Sequence, residues 1–145
     1  MPVKRVDFYL LSGDKPNARE LMVCRLIEKA YQTQHRVFVY CESQKQAEYI
    51  DELLWTFKDE SFIPHNLQGE GPMPPPPVQI GYTGDAQGFS DILLVLSEDI
   101  PACHVGFQRI IEVIADNDEA KITGRIHYRA YKAKQYALQT HAESS

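Results

Sequence analysis

Strand-like and helix-like segments alternate along these 145 residues, and the alternation predicts a three-layer α/β fold around a mostly parallel sheet. Two observations carry that expectation. Short runs rich in β-branched and aromatic residues recur along the chain, and amphipathic stretches with apolar residues at i, i+3 and i+4 separate them. The length suits one domain, residues 1–145, able to bury roughly two thirds of its unfolded surface.

The elements follow in order. Val3 to Leu11, with Val6, Phe8 and Leu10 alternating, reads as a strand, and Arg36-Val37-Phe38-Val39-Tyr40-Cys41 as a buried second one. Between them the turn Ser12-Gly13-Asp14-Lys15-Pro16-Asn17 opens a helix whose stripe is Leu21, Cys24, Ile27 or Leu26, Ala30 and Tyr31. Together they form a βαβ unit. A second helix is marked by the capping-box pair Ser43 and Gln46 and by the apolar face Ala47, Ile50, Leu53, Leu54 and Phe57. Trp55 sits roughly 60° off the centre of that face, where it either borders the core or protrudes from its edge. Further strands are expected at Val78–Tyr82, Asp91–Leu96 and Arg109–Ala115, with 69–77 as an extended, Pro-rich loop. A basic helix over about 117–138 and a flexible tail over about 139–145 close the chain.

A fold of this Rossmann-like type raises the possibility of a nucleotide-binding enzyme, with phosphate held where the first strand turns into its helix. The turn Leu11-Ser12-Gly13-Asp14-Lys15-Pro16 matches neither G-x-G-x-x-G nor G-x-x-x-x-G-K-[ST], so no nucleotide-binding glycine loop is present. Gly69-Glu70-Gly71-Pro72 fails as well, because Pro72 lacks an amide donor and Glu70 repels phosphate.

Other chemistry is no better supported. His35, His65, His104, His127 and His141 never fall at metalloprotease spacing, and no C-x-x-C occurs, so neither metal nor cofactor is expected. Cys24, Cys41 and Cys103 lie in apolar sequence and read as buried thiols, with the adjacent Cys103-His104 a packed thiol beside a loop histidine. His65 reads as a histidine that hydrogen-bonds the loop following it. Asp51-Glu52 and Asp59-Glu60 read as solvated acids. No catalytic constellation emerges.

The composition is ordinary for a soluble protein, 43% hydrophobic and 24% charged, without an apolar run long enough to span a bilayer or an apolar leader, so a cytoplasmic protein is expected. The net charge of −5 divides unevenly. From Ala120 onward five basic residues meet one acid, giving +4, which leaves −9 on the preceding body. An acidic body opposes direct capture of single-stranded DNA, although Tyr128, Tyr131 and the cations would be the stacking platform of such a binder.

Binding is best argued on the last helix. With Lys121 as the zero direction, Arg125, Tyr128 and Lys132 fall at about +40°, −20° and +20°, and Arg129 near +80°. Ile126, Ala130, Ala133 and Ala137 gather on the other side, the expected packing face. Cations around a tyrosine ring suit an acidic peptide, whose carboxylates pair with guanidinium while the ring covers an apolar side chain. The alternative is a solvated charged face. Gly124 in the helix interior marks a helix start, a kink or a close approach to the backbone.

Several segments, taken together, resemble the chi subunit family of bacterial DNA polymerase III. These are Val6-Asp7-Phe8-Tyr9-Leu10-Leu11, Leu21 through Arg36-Val37, Gln46-Ala47 through Asp51-Glu52-Leu53-Leu54-Trp55, Ser61-Phe62-Ile63-Pro64-His65-Asn66-Leu67, Gly69-Glu70-Gly71-Pro72, Asp91-Ile92-Leu93-Leu94, and Arg125 with Tyr128-Arg129-Ala130-Tyr131-Lys132. The resemblance implies a non-catalytic accessory subunit of the polymerase holoenzyme, a nucleotidyltransferase assembly, bridging two partners within the clamp-loader complex. One is the psi subunit. The other is the acidic carboxy-terminal tail of single-stranded DNA-binding protein, which ends in Pro-Phe. By the same resemblance Lys121, Arg125, Tyr128, Arg129 and Lys132, with Ile114 as an apolar neighbour, hold the tail, and Arg125 clamps its terminal carboxylate. Trp55 and Phe62 match positions at or near the psi side, a surface that a helicase competing with psi would share. Arg129 stands where the family shows Lys, which keeps the charge and changes donor geometry. The proline run Met73-Pro74-Pro75-Pro76-Pro77 departs from the family pattern.

Overall fold

The structure, a computed structural model, describes residues 4–13, 15–57, 62–70, 75–83, 86 and 88–144. The strand start at Val3, the Asp59-Glu60 pair and residues 71–74 of the Pro-rich loop lie outside them. The strands are β1 (Arg5–Ser12), β2 (Val37–Tyr40), β3 (His65–Leu67), β4 (Val78–Gly81), β5 (Ile92–Val95), β6 (Arg109–Ile114) and β7 (Ala137–Ser144). The helices are α1 (Ala18–Gln32), α2 (Gln44–Thr56) and α3 (Asp118–Ala133), with a 3₁₀ turn at Ala102–Gly106.

All seven strands join one sheet in the order β3-β4-β2-β5-β6-β1-β7, and every described pairing is parallel. Parallel neighbours need crossovers, which place helices over the sheet faces and leave the strands nearly apolar throughout, as in Ile92-Leu93-Leu94-Val95. One core lies under α1 and α2 and includes Val23, Ile27, Val39, Ile50, Leu54 and Ile80. The other, under α3 and the 3₁₀ turn, gathers Val6, Phe8, Phe38, Leu93, Phe107 and Tyr131. The three layers follow from these two cores.

The helix signals act largely as expected. Ser43 Oγ accepts from the Gln46 amide at 3.2 Å, while the Gln46 side chain reaches back one residue further than a standard capping box, to the Glu42 N–H. On α1 the stripe is displaced. Leu21 is exposed and Tyr31 only half-buried, because Met22, Val23 and Leu26 join Cys24, Ile27 and Ala30 in the core. Gly124 is neither start nor kink: α3 runs through it, and an added Cβ would stand 2.9 Å from Ile114 Cδ1, so glycine permits close packing on β6.

Three sequence expectations are corrected. The last helix does not extend to 138, and the described part of the expected tail is not loose. Gln135 adopts a left-handed conformation (φ 65), Tyr136 N–H reaches back to the Tyr131 carbonyl, and the chain leaves as β7, paired with β1 along all eight residues. The packing face of α3 is also different. Ile126 is 57% exposed and Ala133 lies in solvent, whereas Gly124, His127 and Tyr131 are buried. Counting apolar residues misplaces that face because its contacts are polar but paired. Phe62 stands 67% exposed just before the short edge strand β3.

Candidate functional site

The groove beside α3 is assembled by the parallel register of β6, β1 and β7. Leu10 lies opposite Ile114 on one side and Ala142 on the other, so the carboxyl-terminal halves of these strands form a floor against which α3 rests. A buried network holds α3 there. His127 Nδ1 lies 2.7 Å from Glu112 Oε1, its Nε2 lies 2.6 Å from the Glu98 carbonyl, and Tyr131 donates to Glu112 Oε2 at 2.7 Å. Burial lowers the pKa of His127, but the bond and charge of Glu112 and the Glu98 carbonyl raise it further, to a net value above the ordinary one. Burial beside Glu112 pushes the Tyr131 phenol far up, so it stays a donor.

The resulting cavity has a volume of about 280 Å³. Phe8, Leu10, Leu11 and Ile114 line it from the sheet, Thr140 from the edge strand, and Gly124 and Tyr128 from the helix, with Lys121 and Arg125 at its rim. The Tyr128 ring is tilted over Phe8 at 5.6 Å between centroids. This combination, an apolar floor with two cations at the mouth, accommodates an apolar side chain next to a carboxylate. Of the residues expected at the peptide site, Ile114, Lys121, Arg125 and Tyr128 converge here. Arg129 and Lys132 do not line the cavity and sit exposed elsewhere on α3. Phe8, Leu10 and Thr140 were not foreseen as site residues, since only strand register brings them together.

Lys121 is already engaged. Its Nζ lies 2.8 Å from Asp116 Oδ1, and Asp116 Oδ2 accepts from the Gly13 N–H at 2.9 Å. The Lys121 and Gly13 bonds hold the Asp116 carboxyl below the usual carboxylate range. That geometry also bears on a nucleotide reading, because the β1–α1 turn offers one of its amides to an internal carboxylate where phosphate would lie. A crevice of about 360 Å³ does open at the carboxyl ends of β2, β5 and β6, but Glu42, Glu98, Glu112 and Glu119 line it beside Arg19 and His127. The helix amino termini facing it are capped by Ser43 and Asn117. The carboxylates in that lining oppose a phosphate.

The two aromatic residues expected at the second site lie together at the far edge of the sheet. Trp55 at the end of α2 and Phe62 before β3 lie 5.7 Å apart, and Trp55 also packs on the His65 ring at 4.5 Å. Trp55 is 51% exposed, so it protrudes from the core edge. His65 is fixed from both sides, Nδ1 2.6 Å from the Ile63 carbonyl and Nε2 3.1 Å from the Asp51 carbonyl, bonds to the segment before it and to α2 in place of the expected bond to the following loop. Asp51 itself is partly buried; desolvation, opposed by His65 but assisted by Glu52 and Glu70, raises its pKa. Four to six strand spacings of about 4.8 Å separate β3 from the strands of the groove, which places this patch roughly 20–30 Å away.

Cys24 and Cys41 are buried as expected, and burial pushes their thiols up to about 12, whereas Cys103 in the 3₁₀ turn is only partly buried. Among the described residues no group of three or more His, Cys, Asp or Glu could hold a metal ion, and no helix is long and apolar enough to cross a membrane.

The family model described as DNA polymerase III chi subunit, HolC, matches residues 3–139. The DNA polymerase III subunit chi of Escherichia coli (strain K12) is 34% identical over 143 residues, covering 95% of this chain and 97% of that relative. Its counterpart in Pseudomonas aeruginosa is 33% identical over 137 residues, covering 94% of this chain and 95% of the relative. The Haemophilus influenzae protein of the same name is 31% identical over 138 residues, 94% of this chain and 96% of the relative.

Proposed function

Because the chain belongs to the DNA polymerase III chi subunit family, with a replication accessory role, we propose that it acts as a non-catalytic bridge between the acidic carboxy-terminal tail of single-stranded DNA-binding protein and the psi subunit. The observation that carries the reading is the α3 groove: an apolar floor of Phe8, Leu10 and Ile114 with Lys121 and Arg125 at its mouth. A terminal Phe side chain fits the floor, and its carboxylate fits Arg125. The exposed Trp55–Phe62 pair serves psi, or a helicase that competes with it, and its distance from the groove lets both partners bind together. Contact with DNA is then indirect.

Arg125→Ala is expected to weaken binding of an acidic peptide ending in Pro-Phe by about 1.5–3 kcal/mol, roughly 10- to 100-fold, with the wild-type affinity falling as salt rises. Calorimetric titration checks it; equal affinities would remove the clamp. A pull-down with single-stranded DNA-binding protein, intact and lacking its last few residues, tests the tail itself: retention of the truncated form contradicts the reading. Trp55→Ala combined with Phe62→Ala is expected to abolish psi capture while leaving tail binding within about twofold, since residues this far apart act independently. Loss of both contacts would point to misfolding, which circular dichroism detects.

A further inference from the structure

We propose that Asp116 is an internal competitor of the peptide: in the free chain its carboxylate occupies Lys121, and an acidic ligand binds by drawing Lys121 out of that pair. The inference rests on the peptide-binding reading of the α3 groove. Asp116 stands between β6 and α3 and makes two bonds of different kinds. Oδ1 meets Lys121 Nζ at 2.8 Å, while Oδ2 accepts from the backbone N–H of Gly13 at 2.9 Å. The backbone bond holds the carboxylate in place without Lys121, so the flexible ammonium can leave while the carboxylate stays.

Lys121 also forms part of the groove wall beside Arg125. Its side chain is 46% exposed and that of Asp116 34%, and an ion pair in such surroundings is weak enough to exchange. A ligand carboxylate approaching over the apolar floor is less well screened, which favours transfer of Lys121 to the ligand. In the free state, among the described residues, the mouth therefore shows one unneutralised cation, Arg125, rather than two. A peptide with a single carboxylate needs only Arg125; one with additional acids gains further by competing Lys121 away from Asp116. The pair thus selects for several carboxylates near the peptide end.

Calorimetric titration of the full chain with a short synthetic peptide rich in Asp and ending in Pro-Phe tests this. Asp116→Asn keeps an oxygen for the Gly13 N–H and removes the charge. It is expected to tighten binding about two- to fivefold at low ionic strength, with the gain shrinking at high salt. In a Lys121→Ala background the same substitution is expected to give no comparable gain. Unchanged or weaker binding by Asp116→Asn overturns the competitor role, and so does an equal gain with and without Lys121, which would reflect net charge alone. If the unaltered chain binds no peptide, the groove reading falls and the inference with it; peptide binding without an Asp116→Asn gain removes the inference alone.

Discussion

His127→Ala should destabilise the protein by about 3–5 kcal/mol, the range for removing one partner of a buried ion pair. Both side chains are enclosed, 4% exposed for His127 and 5% for Glu112, so the variant leaves a buried carboxylate whose one remaining donor among the described residues is the Tyr131 hydroxyl. The imidazole satisfies Glu112 and the Glu98 carbonyl together only when both ring nitrogens carry protons. Its pKa is accordingly raised above the ordinary 6.5 in the folded state. A raised pKa means that this contribution is fully present below about 6.5 and fades as pH rises through the folded value. Urea unfolding between pH 6 and 9 should show wild type losing stability along that window, and His127→Gln losing less. A cost below about 1 kcal/mol for His127→Ala, or the same pH slope in both proteins, would disprove the account. Since α3 carries Arg125 and Tyr128, loosening His127 should also blunt the groove.

Asp7→Ala is the second large effect, expected at about 3 kcal/mol, the lower end of the buried-pair range because its partners are partly solvated. The Asp7 side chain is fully buried, yet it meets Arg109 at 2.7 Å, Arg5 at 2.9 Å and His141 at 2.9 Å. Burial raises its pKa, but the bonds from His141, Arg109 and Arg5 outweigh it and hold the carboxyl below 3.8. The sign is opposite to that of His127: stability from Asp7 is present above about 3.8 and is lost as pH falls through the lower folded value. The bond from His141 also ties the edge strand β7 to β1. Hydrogen exchange should therefore show the β7 amides losing protection first in Asp7→Ala, before those of β2 or β5. Retained protection along β7 in the variant, or acid unfolding at the same pH as wild type, would contradict this role.

These two networks mark where one-dimensional reading stops. Asp7 sits among apolar residues in β1, and a strand pattern assigns it to solvent; Arg5 of the same strand, Arg109 of β6 and His141 of β7 supply the partners that let it be buried. His127 and Tyr131 hold α3 through hydrogen bonds, so the apolar residues Ile122 and Ile126, by count the better core candidates, are left 55% and 57% exposed. β7 escaped notice for a similar reason. Ala137-Leu138-Gln139-Thr140-His141-Ala142-Glu143-Ser144 has little intrinsic strand preference, and its conformation comes from pairing with β1. β3 is three residues long and is supported by the bond between the Gln79 and Asn66 side chains.

The local content of the chain was legible without coordinates: the alternation of elements, the cap at Ser43, the departure from a phosphate-binding glycine turn, the basic last helix and the order of residues that places the chain in its family. Such features depend on neighbours three or four positions apart, and propensity, capping and helical periodicity act at that range. The tertiary structure alone decided which face of α3 is buried, that Phe8, Leu10 and Thr140 join Arg125 and Tyr128 around one cavity, that Trp55 and Phe62 share an exposed patch at the opposite edge, and that Asp116 holds Lys121. The first two depend on strand register and on desolvation balanced by a specific partner, among residues tens of positions apart; Trp55 and Phe62, and Asp116 and Lys121, are near in sequence, but only the folded backbone sets their side chains against each other.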